Sequence, residues 1–133
     1  MLVDAGPLIA LIERTDAHHE RCVAALAGVM EPLVTVWPAF TEALYLLRGA
    51  ERSERALWGM IDGGGLDFAE LTAHDTPRLR DLMVRYRDQP MDLADAALVH
   101  VAERDGLHQI FTLDRRHFST YRLQGRRRFT IIP

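Results

Sequence analysis

Asp4, Glu42, Asp95 and Asp114 are four acids whose placement along the chain invites them to be weighed together. Asp4 follows Leu2-Val3 and precedes Gly6-Pro7, so a carboxylate stands where a short strand would end and a helix begin. Asp114 closes the apolar stretch "QIFTLD" in the same manner. Glu42 lies about a turn into the stretch that opens at Pro38, off its apolar stripe. Asp92 and Asp95 are three residues apart, a spacing that puts both on one helix face. Each acid also has an ordinary reading. Asp4 can cap the following helix, and Glu42 can be a solvated surface acid. Asp92 can be an N-cap with Asp95 at N3, a variant of the capping box. Asp114 can be a turn residue or pair with Arg115.

As a set they point to metal chemistry. Two unit charges about 4 Å apart repel by roughly 4 kcal/mol at an effective dielectric of 20. Several carboxylates brought together at such distances therefore need a cation. Oxygen-only ligands favour hard ions, Mg²⁺ or Mn²⁺. Such ions activate water and stabilise a phosphoryl transition state. No competing chemistry is comparably supported. The chain contains neither a G-x-x-x-x-G-K-[ST] phosphate loop nor a G-x-S-x-G nucleophile elbow. Gly63-Gly64-Gly65 reads as a flexible turn. The six histidines show no metal-like spacing.

All 16 basic residues are arginines, and the formal net charge is −3. That balance argues against a generally basic nucleic-acid binder. A local patch is still available in the C-terminal part, where Arg115, Arg116 and Arg122 precede the run Arg126-Arg127-Arg128. The ordinary alternative for the run is a solvated face.

Positioning these groups requires an alternating framework. Strands are expected at Leu2-Val3, Leu33 to Val36, Leu66 to Ala69, "QIFTLD" and "RRFTIIP". Helices are expected with Pro7 in the first turn, over Ala17 to Ala27, from Pro38, over Glu51 to Ile61, from Thr76 to about Arg87, and over Asp92 to Arg104. Phe40, Ala43, Leu44 and Leu47 follow helical spacing, and Gly106 terminates the last helix. Strands alternating with helices argue a parallel sheet covered on both faces. Ligands in such sheets bind beyond the carboxyl ends of the strands, where Asp4 and Asp114 are expected.

At 133 residues and 48% hydrophobic, the chain can bury one core, and a single domain over 1–133 is expected. No apolar stretch approaches the ~18 residues of a membrane span. The N-terminus lacks the basic start of a signal peptide. Cys22 is the one cysteine, which excludes an internal disulfide framework and a thiolate zinc cluster. A cytoplasmic location is expected.

Four stretches carry a resemblance: "LVDAGPLIALI", "WPAFTEALYLL", "PMDLADAALVHVAE" and "IFTLDRRHF". In that order they resemble the successive acidic motifs of the PIN domain, in particular of the VapC-type toxins of bacterial toxin–antitoxin pairs. The resemblance runs from Leu2 to the last strand. It implies an α/β fold, three layers α/β/α around a mainly parallel five-stranded sheet. It implies a Mg²⁺- or Mn²⁺-dependent endoribonuclease, the toxin of a type II toxin–antitoxin system, that cleaves RNA phosphodiesters by metal-activated water. Asp4, Glu42, Asp95 and Asp114 match the family's catalytic acids, with Asp4, Asp95 and Asp114 as metal ligands and Asp92 an additional candidate. Thr112 matches a polar residue that supports the last acid. Arg115, Arg116, Arg126, Arg127 and Arg128 are candidate RNA contacts. A homodimer and a cognate antitoxin are the implied partners, with no membrane. Two rivals stand beside this reading: a catalytically inactive PIN-like RNA- or protein-binding module, and a Mg²⁺-dependent phosphatase. The phosphatase is disfavoured by Gly6, which stands where a second Asp would be wanted.

Overall fold

Leu2–Val3 forms a strand, β1, of only two residues, yet both side chains are fully buried. They can be, because β1 lies at the centre of a five-stranded sheet. The computed structural model describes residues 1–133. The other strands are β2 (Leu33–Thr35), β3 (Leu66–Phe68), β4 (Gln109–Phe111) and β5 (Thr130–Ile132). Their spatial order is β3-β2-β1-β4-β5. Every pairing is parallel, with Leu2 opposite both Val34 and Ile110 and Val3 opposite Phe111. The sheet is thus wholly rather than mainly parallel.

The helices are α1 (Ala5–Ile12), α2 (His19–Leu26), α3 (Trp37–Leu46), α4 (Glu51–Asp62), α5 (Thr76–Arg85), α6 (Leu93–Asp105) and α7 (Arg115–Phe118). Alternate side chains of a strand face opposite ways, and the two cores divide accordingly. Leu2 and Ile110 pack with Leu82, Leu98, Val101, Phe118 and Tyr121. Val3 and Phe111 pack with Leu8, Phe40, Leu47 and Leu57 on the other face. Helix α3 serves both, with Ala39 in the first core and Phe40 and Ala43 in the second. No helix is long and apolar enough to cross a membrane.

The chain lays β1, β2 and β3 in one direction, then crosses to the other side of β1 for β4 and β5. The reversal falls between β1 and β4, and the crevice beyond the carboxyl ends of strands at such a point is where open sheets place ligands. Pairing continues past the strand ends and fixes the backbone there. The Asp4 N–H donates to the Phe111 carbonyl at 3.0 Å and the Thr112 N–H to the Ile132 carbonyl at 2.9 Å.

The boundaries differ from expectation mostly by a residue or two. Helix α1 begins at Ala5, and Pro7 lies in its first turn as expected. The stretch "QIFTLD" leaves the sheet after Phe111, and α7 begins at Arg115, where no helix is expected from sequence. The final strand starts only at Thr130, three residues later than expected, after a 3₁₀ turn at Gln124–Arg126.

Candidate metal centre

Helix α1 starts immediately after β1, so its first-turn N–H groups need an acceptor. Asp4 provides one: its Oδ1 accepts the Ala5 N–H at 2.7 Å. Pro7 at N3 has no N–H, which removes one donor that a cap would ordinarily serve. The second oxygen, Oδ2, accepts the Thr112 hydroxyl at 2.8 Å. Thr112 is fully buried, and its Oγ1 in turn accepts the Asp114 N–H at 3.0 Å. One hydroxyl therefore ties the end of β1 to the turn after β4. Asp4 is thus the cap of α1 through Oδ1 and the partner of Thr112 through Oδ2.

Asp92 is the N-cap of α6, its Oδ1 accepting the Asp95 N–H at 2.9 Å. Asp95 sits one turn in, and its Oδ2 accepts the Tyr121 hydroxyl at 2.9 Å. Asp114 caps α7: Oδ1 accepts the His117 N–H at 3.0 Å and Oδ2 lies 2.6 Å from His117 Nδ1. Glu42 projects from α3 beside a groove of about 420 Å³ that Asp92 and Leu93 also line.

The electrostatics show that these carboxylates feel one another. Desolvation pushes Asp4 up from its ordinary value against the pull of Thr112 and Ala5, and the charges of Asp92 and Asp114 push further. Asp95 is pushed up to about 7, first by burial, then by the charge of Asp92, with Asp4 adding to it. Glu42 is raised by desolvation and then by Asp4 and Asp92. Tyr121 is raised by burial and by the Asp95 carboxylate that its hydroxyl serves. A site that resists the ionisation of its own acids is one that a cation would relieve. No three His, Cys, Asp or Glu side chains stand together as a ready coordination sphere. The donors that are present are carboxylate oxygens, the chemistry that suits a hard divalent cation.

The expected RNA contacts fall into two groups. Arg115 and Arg116 are exposed at the start of α7, one and two residues past Asp114. Arg126, Arg127 and Arg128 are exposed too, but they precede β5, whose first residue pairs with the first residue of β4. The run thus lies at the opposite end of the sheet from the acids. Two residues at the site escape sequence reasoning: Tyr121, because a hydroxyl 26 positions from Asp95 leaves no local trace, and His117. The i, i+3 spacing of Asp114 and His117 was a visible signal, but it needed a helix that the sequence does not announce.

The PIN-domain family model matches residues 1–123. Ribonuclease VapC26 of Mycobacterium tuberculosis (strain ATCC 25618 / H37Rv) is 32% identical over 135 residues, covering 100% of both chains. The crystal structure of Mycobacterium tuberculosis VapC20, described as a Sarcin-Ricin loop cleaving toxin, has a similar fold. Its TM-score is 0.79 at 20% identity, over 87% of this chain and 91% of that one.

Proposed function

The chain belongs to the PIN-domain family, and from that premise we propose that it is a divalent-metal-dependent endoribonuclease acting as the toxin of a type II toxin–antitoxin pair. The observation that carries this reading is the pairing of Asp4 with Thr112 and of Asp95 with Tyr121, at the point where the strand order reverses. It is supported by a relative, aligned over its whole length, that is named a ribonuclease.

Asp4 and Asp95 are the principal ligands of Mg²⁺ or Mn²⁺ in this reading. Asp114 and Glu42 complete the acidic wall, and Asp92 shapes its field while capping α6. The bound ion supplies activation of the attacking water and stabilisation of charge developing on the phosphate. The protein's own groups do the rest. Thr112 donates to Oδ2 of Asp4 and Tyr121 to Oδ2 of Asp95, and these bonds hold the two carboxylates in fixed orientations. Arg115 and Arg116 meet phosphates at its rim. Water adds to phosphorus as the bond to the leaving oxygen breaks; a neighbouring carboxylate accepts the proton lost by the water, and the leaving oxygen takes a proton from solvent.

The partners follow from the same reading. Tyr45 and Leu46 on α3 are 61% and 59% exposed, and Val84 and Leu93 are similarly uncovered on α5 and α6. Exposed large apolar side chains on neighbouring elements suit a homodimer contact. The antitoxin is a separate protein that would mask the acids, and the site of action is the cytoplasm. RNA cleavage measured with and without chelator tests the function. Activity that survives chelation, or no activity with either metal, overturns it.

A further inference from the structure

Of the 16 arginines, only Arg78 and Arg104 form ion pairs with Asp or Glu side chains. Four arginines instead gather around one cavity of about 410 Å³, lined by Arg78, Arg85, Arg122 and Arg126 together with Glu103 and Leu123. Glu103 is the one acid among them. It is 3% exposed, and both its oxygens are taken by Arg78 in a forked pair at 2.8–3.0 Å. Four positive charges against one negative leave an excess of three.

The remaining arginines are held in place without being neutralised. Arg122 Nη1 donates to the carbonyls of Ser119, Thr120 and Tyr121 at 2.7–2.9 Å, and its backbone N–H donates to Tyr86 Oη at 3.0 Å. Arg85 lies over the Tyr86 ring at 5.5 Å. Arg126 is the one non-glycine residue with positive φ, at 62°, directly after Gly125 at 73°. A side chain in that conformation is costly and persists where its surroundings demand it. The Leu123 N–H closes this turn onto the Arg127 carbonyl at 3.0 Å.

The cavity is linked to the acids through Tyr121, which donates to Asp95 and is followed at once by Arg122. It is linked again through α6, because Asp95 and Glu103 are eight residues apart on that helix. At 1.5 Å per residue and 3.6 residues per turn, Glu103 lies about 12 Å along α6 from Asp95 and under a quarter turn around it. Arg126, the first residue of the run at the far end of the sheet, lines the cavity itself.

We propose that the Arg78–Arg85–Arg122–Arg126 cavity is a second phosphate-binding site, which takes the backbone of the same RNA chain along the flank of α6 while another of its phosphodiesters lies at the acids. The proposal rests on the ribonuclease reading. The ligand is a phosphodiester because Arg85, Arg122 and Arg126 offer planar guanidinium groups without a carboxylate partner, suited to phosphate oxygens. An acidic peptide fits less well, since Leu123 is the one apolar lining residue and gives side chains little to anchor on. The site also explains how arginines remote from the acids can contribute to RNA binding.

The test is binding of oligouridylate to the full chain in chelator, so that no cleavage occurs, across a salt series. The variant is Arg85→Gln/Arg126→Gln, which leaves the Arg78–Glu103 pair and the Arg122 bonds intact. Long oligouridylate should lose roughly 1.4 from its log–log salt slope, about 0.7 for each phosphate contact on a single strand. The dinucleotide UpU, too short to span both sites, should bind the variant and the parent alike. Inorganic phosphate should compete only weakly with the long RNA. An unchanged slope in a parent that cleaves RNA overturns this site and leaves the ribonuclease reading intact. So does saturable inorganic phosphate binding that depends on Arg85 while RNA binding does not, or loss of polyglutamate binding with RNA unaffected. A parent that neither binds nor cleaves RNA overturns both.

Discussion

The Tyr121 hydroxyl donates to Asp95 Oδ2 at 2.9 Å, joining the C-terminal segment to the first turn of α6. The ring is fully buried and packs edge-on against Tyr86 and Phe118. Tyr121→Phe therefore keeps the packing and removes one donor. Asp95 then loses the hydrogen bond that favours its charged form, so metal binding should weaken and need a higher pH. The stability cost should be small, about 1 kcal/mol, the net worth of an ordinary hydrogen bond. Calorimetric Mn²⁺ titration at several pH values checks it. Equal affinity and an equal pH profile would remove Tyr121 from the site.

Thr112 bridges Asp4 and the Asp114 backbone from a fully buried position. Thr112→Val keeps the shape but leaves the Asp114 N–H without its acceptor. We expect a loss of about 1–3 kcal/mol in stability and a fall in cleavage, both restored by Thr112→Ser. Chemical denaturation beside an RNA-cleavage assay measures the two together. Normal activity in Thr112→Val would show that the bridge does not position Asp4.

How much of this was legible beforehand follows from the range of each signal. Asp4 and Asp114 could be placed at strand ends because an apolar run stops at each, and the alternation of strands and helices gave the parallel sheet. Asp92 read as a cap from its position after Pro90, and its Oδ1 does cap α6. Helix α7 was not legible, because four residues are too few to display periodicity. The division of the arginines between the two ends of the sheet was hidden as well. It depends on the register of β4 with β5, which composition does not record. Tyr121 and Thr112 act through contacts 26 and 108 positions away, and such pairs exist only after folding.

Asp95 makes a prediction about stability and pH. Its ordinary value of 3.8 is raised in the fold to about 7. Between those values the folded chain holds a proton that the unfolded chain has released. Unfolding thus releases a proton, and stability should fall as pH rises through that window. Asp4 and Glu42, also raised, act in the same direction. Asp75, lowered to about 2 by its bonds to Thr72 and His100, acts oppositely, and its contribution is lost only below the window as pH falls from about 4 towards 2. Urea denaturation in chelator should show a midpoint that declines from pH 4 to 7, and Asp95→Asn should flatten it. Excess Mn²⁺ should reverse the trend, since metal binds the deprotonated carboxylates. A wild-type midpoint that rises across the window without metal would contradict the assignment.

Asp92 and Asp95 share a helix face but not a task, and substitutions can separate them. Asp92 accepts the Asp95 N–H as the cap of α6. Losing a cap costs typically about 1 kcal/mol, whereas Asn caps as well as Asp. Asp92→Ala should therefore destabilise by about that much, and Asp92→Asn should not. The charge of Asp92 also raises Asp95 and reaches Asp4 and Glu42. Asp92→Asn should thus ease ionisation of Asp95 and leave metal binding and cleavage largely in place. Asp95→Asn removes a proposed ligand and should cripple both. Asp4→Asn should do the same, while the fold is no less stable without metal because one repelling charge is gone. Calorimetric Mn²⁺ titration of the three Asn variants, with denaturation curves, decides between the roles. Metal binding lost in Asp92→Asn and retained in Asp95→Asn would move the ligand from the inner position of the turn to its cap.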